Sequence, residues 1–222
     1  MKKAVMFWSG GKDSALALNR IQQRNDISVD KLITCFSGSS NRVSIHGVSP
    51  KLIERQAEAI GIPLEKIEIP ENCSMEKYQE LASDRLKENK GEYEAVVFGD
   101  IFLEEAREKR KETMADVALE AVLPIWGEDT EELIQEFIEP GFKARTVCVD
   151  EELGEVFAGR RVDREFVKEL PEKVDSCGEN GEFHSFVTDG PIFDEKVEVK
   201  VGEKLIREIE GKVKHYINLD LS

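Results

Sequence analysis

The sequence predicts an α/β fold built on a parallel sheet, followed by a smaller α+β domain. Three observations carry this. Short apolar runs alternate with helical patterns through the first 127 residues, which is the signature of strand–helix crossover units. The connections between them are short, as such units require. The unusual residues collect at the ends of the apolar runs, where open α/β sheets bind their ligands.

The elements follow in order. Lys3–Trp8 is a short buried strand, and Ser14–Gln23 places Ala15, Leu16, Leu18 and Ile21 at helical spacing. Lys31–Phe36 is the second strand. Ser49–Ile60 reads as a helix with Pro50 in its first turn and Gly61 as its stop. Leu64–Ile69 is a strand, Met75–Asn89 a helix, Tyr93–Phe98 a strand, Leu103–Glu120 a charged helix and Val122–Trp126 a last short strand. Beyond Gly127 the texture changes. A short helix opens on an acidic turn and stops at Pro140-Gly141; Phe142–Val149 reads as a strand and Asp163–Leu170 as a helix. A glycine-rich acidic stretch, DSCGENGEFHSFVTDGP, precedes a C-terminal tail with period-two alternation on both sides of a turn. The domains expected are therefore 1–127 and 128–222.

The chain of 222 residues carries a formal net charge of −15. Nucleic-acid affinity rests largely on Lys and Arg contacts to phosphate, so the balance disfavours a generic DNA or RNA binder. No apolar run is long enough to span a membrane, and the short apolar start runs into a glycine turn rather than a cleavage site. A cytoplasmic location is expected. The four cysteines, Cys35, Cys73, Cys148 and Cys177, form no CxxC pair and read as reduced, buried thiols.

The most informative stretch is SGGKDS at residues 9–14, where the first strand turns into the first helix. Glycines let backbone N–H groups approach a phosphate, and a helix N-terminus adds unpaired donors and a favourable dipole. Ser9 and Ser14 add hydroxyls, and Lys12 adds positive charge. Asp13 is the odd member: beside a polyphosphate a carboxylate needs a reason, either a Mg²⁺ ion or helix capping. The loop is not the GxxxxGKS or GxxxxGKT phosphate loop, nor GxGxxG. An ordinary glycine turn before a capped helix is the plainer alternative.

SGGKDS resembles the pyrophosphate-binding loop of the adenine nucleotide alpha hydrolase-like superfamily, the ATP pyrophosphatases or PP-loop enzymes. That resemblance implies a Rossmann-like sheet of HUP type, binding of ATP with Mg²⁺, and cleavage of the α–β bond. RVSIHGVSPKLIERQAEAIGIPL, VLPIWG and GENGEFHSFVTDGPIF are similar, in the same order, to segments of the diphthine–ammonia ligase family. One departure stands out. The family's Tyr-x-x-x-Arg after the fourth strand is absent; here the chain reads Gly99-Asp100-Ile-Phe-Leu-Glu-Glu-Ala-Arg107-Glu-Lys-Arg110, which leaves room for a different acyl substrate.

The resemblance implies an ATP-dependent amide-forming ligase that adenylates a carboxylate, releases pyrophosphate and transfers ammonia. The acceptor would be a carboxylate such as diphthine on an elongation factor, and the nitrogen donor free ammonium. Ser9, Gly10, Gly11, Lys12, Asp13 and Ser14 would hold the nucleotide phosphates. Gly99 would let the nucleotide approach, and His46 would stack on the base. Lys12, Asp13, Asp100 and Glu182 are the catalytic candidates, with Asp13 and Asp100 as Mg²⁺ ligands. Arg107, Arg110, Glu179, Asn180, Gly181, Glu182 and His184 would bind substrate. If 182–187 is a strand, Glu182, His184 and Phe186 share one face and Phe183, Ser185 and Val187 the other. Each group has a structural alternative: a solvated helix face for the arginines, a satisfied turn for the acids, packing between domains for Trp126. Another acceptor, as in tRNA thiolation, or a nucleotide-binding protein without turnover, are the competing functions. An edge strand near 196–201 could pair two copies as a homodimer.

Overall fold

The computed structural model describes residues 1–222 except 38–41, 44–46, 71–73, 89–90, 103 and 210, and except the side chains of 42, 43, 75, 76, 79, 104–106, 109 and 209. His46 and Cys73 lie outside the described residues. Two compact units are distinguished. The first comprises Met1–Ser9, Asp13–Ser44 and Ile62–Gly127; the second comprises Gly10–Lys12, Ile45–Gly61 and Glu128–Ser222.

The first unit is a Rossmann-like α/β unit. Its sheet contains β1 (Lys2–Phe7), β2 (Ile27–Ser37), β3 (Arg42–Val43), β4 (Leu64–Ile69), β5 (Ala95–Val97) and β6 (Glu120–Val122). β1 pairs in parallel with β2 and β5, β2 with β4, and β5 with β6; β3 folds back antiparallel on the end of β2. The parallel strands thus run β4-β2-β1-β5-β6. Strand order reverses at β1, so the ends of β1 and β5 flank the switch point at which such sheets bind ligands. The helices are α1 (Lys12–Gln22, all but Lys12 in this unit), α3 (Met75–Glu88) and α4 (Glu104–Asp116). Val5, Ile33, Cys35, Ile67 and Val96 from the strands, with Phe98 just beyond β5, pack with Leu86, Met114 and Val117 into one buried cluster. Alternate β-strand residues on the other side, Ala4, Met6, Leu32, Ala95 and Val97, are also fully buried. Burial on both faces explains why these strands read as continuous apolar runs.

The second unit carries a four-stranded antiparallel sheet, β7 (Lys143–Asp150), β8 (Phe183–Asp189), β9 (Val199–Ile209) and β10 (Lys212–Leu221), in the order β8-β7-β10-β9. Its helices are α2 (Pro50–Ile60), α5 (Thr130–Ile138) and α6 (Arg164–Glu169). α2 starts on Pro50 and ends on Gly61 in the left-handed conformation, φ 76°. α5 is capped by Asp129, whose carboxylate accepts from the N–H groups of Glu131 and Glu132. Phe157, Phe166 and Phe183 meet edge to face, 5.2–5.6 Å between centroids.

Two sequence expectations are corrected. The charged helix ends at Asp116 rather than Glu120, because Ala118 turns left-handed at φ 59° and the N–H of Leu119 returns to the carbonyl of Met114. The following strand is Glu120–Val122 rather than Val122–Trp126; Pro124 has no N–H to donate to a ladder. On β8, Phe183, Ser185, Phe186 and Val187 are all buried.

Candidate functional site

The candidate site is built from the turn that ends β1. The N–H of Trp8 donates to Ile33 (2.8 Å) and the Thr34 hydroxyl donates to the Trp8 carbonyl (2.6 Å), so the strand end is pinned to β2. The hydroxyls of Ser9 and Ser14 then share a 2.8 Å hydrogen bond, and the N–H of Ser9 donates to the Ser14 oxygen at 3.3 Å. The two serines close the loop at its base, and α1 begins inside it with Asp13 in its first turn.

Gly99, at the end of β5, fits against this helix start. A Cβ there would lie 2.9 Å from the Ser14 nitrogen and 3.0 Å from the Asp13 carbonyl carbon. Only a residue without a side chain allows that approach. Asp100 follows, and its carboxylate is gripped by both nitrogens of an Arg110 fork. The Arg110 guanidinium lies 4.3 Å above Phe98, and that of Arg107 lies 5.0 Å from the Trp126 ring. Both arginines are thus engaged within the first unit. Tyr78 lines a small cavity with Phe7, Phe98 and Arg110. Burial, reinforced by the Cys35 thiol, pushes its phenol far above the ordinary value, so it stays protonated.

Within the second unit, Gly10–Lys12 is held by β8. The carbonyl of Gly10 accepts from the N–H of Val187 (2.9 Å) and the side-chain amide of Gln56 (3.0 Å). The N–H of Lys12 donates to the Ser185 hydroxyl at 3.1 Å. Lys12 is buried, its ammonium 5.2 Å from the centre of Phe183. Gly10 adopts φ +79°, which L side chains rarely do. Neither Gln56 nor Ser185 was expected as a site residue. The available signal for Gln56 was a polar residue in the apolar row Leu52, Ile53, Ala57, Ile60 of α2.

The acidic turn before β8 is organised by two carboxylates. Asp175 accepts from the N–H groups of Cys177 and Glu179 and from the Thr130 hydroxyl (2.7–3.1 Å). Glu182 is buried and accepts from the N–H groups of Asp175 and Asn180 and from the Asn180 side chain, at 2.9–3.0 Å. Gly178 and Gly181 take positive φ, and Lys214 donates to the Gly181 carbonyl at 2.7 Å. Glu182 therefore shapes the turn, while Glu179, Asn180 and His184 are at least partly exposed. An open groove of about 580 Å³, lined by Asp150, Glu152, Lys173 and Lys212 among others, adjoins it; the N–H of Asp150 donates to the Glu182 carbonyl. Cys35, Cys148 and Cys177 are buried thiols in no disulfide, and burial raises the Cys148 pKa. Among the described residues no group of three or more His, Cys, Asp and Glu could hold a metal ion.

Comparison with known proteins bears on both units. Residues 1–120 match the model described as diphthamide synthase N-terminal domain, and residues 129–218 that described as diphthamide synthase C-terminal domain. The chain is 26% identical over 230 residues to the diphthine–ammonia ligase of Danio rerio, covering 92% of this chain and 89% of that protein. It is 25% identical over 179 residues to the diphthine–ammonia ligase of Rattus norvegicus, covering 72% of this chain and 66% of that one. A solved structure described as a "predicted subunit of tRNA methyltransferase" from Methanocaldococcus jannaschii is 16% identical, covers 65% of this chain and 80% of that chain, and has a TM-score of 0.46. With both halves matched in order over nearly the whole sequence, the chain belongs to the diphthamide synthase family.

Proposed function

We propose that this chain is an ATP-dependent ligase that forms an amide on a carboxylate acceptor, in the manner named for its diphthine–ammonia ligase relatives. The observation that carries the reading is the loop at the switch point. Ser9 and Ser14 close it, glycines bring its backbone near, and Gly99 leaves no side chain over the first turn of α1. That arrangement of donors suits the phosphates of ATP.

In the reaction so read, an oxygen of the acceptor carboxylate attacks the α-phosphorus and pyrophosphate leaves. Ammonia then attacks the acyl carbon, AMP departs with the carboxylate oxygen, and the nitrogen loses a proton to solvent. Lys12 offsets charge on the phosphates, and the N–H groups of the loop and of α1 stabilise the charge that develops on them. A Mg²⁺ ion is usually held by one or two carboxylates together with substrate phosphates, so in this reading the ion would arrive with ATP. Asp13 is the candidate carboxylate. Asp100 is less suited, because Arg110 already grips both its oxygens. The acidic turn 175–184, with Glu179, Asn180 and His184, is assigned to the acceptor, whose quaternary ammonium, if it is diphthine, is attracted to carboxylates and aromatic faces.

The test is to incubate the protein with Mg-ATP, ammonium and a diphthine-bearing acceptor. AMP, pyrophosphate and amidated acceptor are the expected products, and Lys12→Ala is expected to remove them while leaving the fold. A Lys12→Ala protein with full turnover would sink the reading. β9 ends the antiparallel sheet, and it is the strand through which a homodimer would pair; light scattering decides that point.

A further inference from the structure

We propose that Gln56 is a positioning residue for the pyrophosphate loop: its side-chain amide fixes the peptide plane between Gly10 and Gly11. The inference rests on the proposed binding of ATP phosphates by that loop. Gln56 is fully buried on the apolar row of α2, a costly place for an amide unless its donors are satisfied. They are. Its Nε2 donates to the carbonyl of Gly10 at 3.0 Å and to that of Val187 at 2.6 Å. The N–H of Val187 donates to the same Gly10 carbonyl at 2.9 Å. One carbonyl of the loop is thus drawn toward both a helix and a strand.

The consequence follows from peptide geometry. In a planar trans peptide the carbonyl and the next N–H point in opposite directions. Holding the Gly10 carbonyl toward α2 and β8 aims the N–H of Gly11 away from them. Two residues along, the 3.1 Å bond from the Lys12 N–H to Ser185 secures the end of the same segment. Gly10 itself cannot be replaced by a larger residue without striking this device, since a Cβ would fall 2.6 Å from Gln56 Oε1. Gln56 therefore acts on the nucleotide through Gly10 and Gly11 and touches no phosphate itself.

The experiment compares Mg-ATP and adenosine binding by isothermal titration in wild type, Gln56→Met and Gln56→Glu, with melting temperatures recorded alongside. Removing donors from a buried carbonyl pair is expected to raise the Kd for Mg-ATP by about tenfold while the Kd for adenosine, which has no phosphates, stays within about twofold. Gln56→Glu keeps the size and donates only when protonated, so its Mg-ATP affinity is expected to recover toward wild type as pH falls. It carries the test alone if Gln56→Met does not fold. Equal weakening of adenosine and Mg-ATP, or wild-type Mg-ATP affinity in either folded variant at pH 8, overturns the proposal. Wild-type protein that binds no Mg-ATP overturns both this inference and the ligase reading; wild-type binding with indifferent variants overturns this inference alone.

Discussion

Gly99→Ala isolates the close approach between β5 and α1. The added Cβ would sit 2.9 Å from the Ser14 nitrogen and 3.0–3.1 Å from the Asp13 carbonyl group, all backbone atoms that cannot rotate away. An ordinary Cβ contact begins at 3.4 Å, so the first turn of α1 must retreat by about half an ångström. Overpacking of this kind costs about 1–3 kcal/mol, or roughly 2–12 °C in melting temperature for a chain of this size. The same retreat moves the N–H groups proposed to face the phosphates, and misplacement of that order is expected to lower kcat/KM for ATP by about tenfold. Differential scanning calorimetry and a coupled pyrophosphate assay read the two effects. A Gly99→Ala protein that melts within 1 °C of wild type and turns over at the wild-type rate, on the scale of these estimates, would refute the reasoning.

Other expectations follow from single contacts. Gly10→Ala meets both a left-handed φ of +79° and a collision with Gln56 and Ile53, whereas Gly127→Ala meets only a φ of +75° with nothing within 4 Å. The first should cost about 2–4 kcal/mol and the second about 1 kcal/mol by urea denaturation. Glu182→Gln presents an N–H where the carboxylate now accepts three hydrogen bonds, and a loss of about 1–3 kcal/mol is expected. Cys148 and Tyr216 both have pKa values raised above their ordinary 9.0 and 10.0, chiefly by burial. The unfolded chain loses these protons first, so their stabilisation is complete below about pH 9 and falls as pH rises beyond it. Urea midpoints measured from pH 8 to 10.5 should decline, and a flat profile would contradict the assignment.

The parallel sheet was legible because its central strands β1, β2 and β5 are buried on both faces and therefore carry apolar runs. The loop was legible because Ser9–Ser14 sit together in sequence as they do in space. What failed was local and has local causes. Val117, Ala118 and Leu119 continue an apolar helical pattern, and the stop lies in the left-handed φ of an alanine, a conformation that glycine normally announces. Starting the next strand at Val122 followed from that misplaced stop. The contacts that hold the loop were out of reach for a different reason: Lys12 meets Ser185 across 173 residues and Gln56 meets Val187 across 131. No periodicity encodes such pairings. The three N–H groups that Glu182 accepts from, two of them backbone, could not be read from the sequence.

In the proposed reaction this loop directs cleavage between the α- and β-phosphates. The most direct measurement follows Mg-ATP labelled at the α-phosphorus, with ammonium and a diphthine-bearing acceptor, and resolves the nucleotide products. Labelled AMP is expected, with one pyrophosphate released per amide formed. Labelled ADP with inorganic phosphate would contradict it.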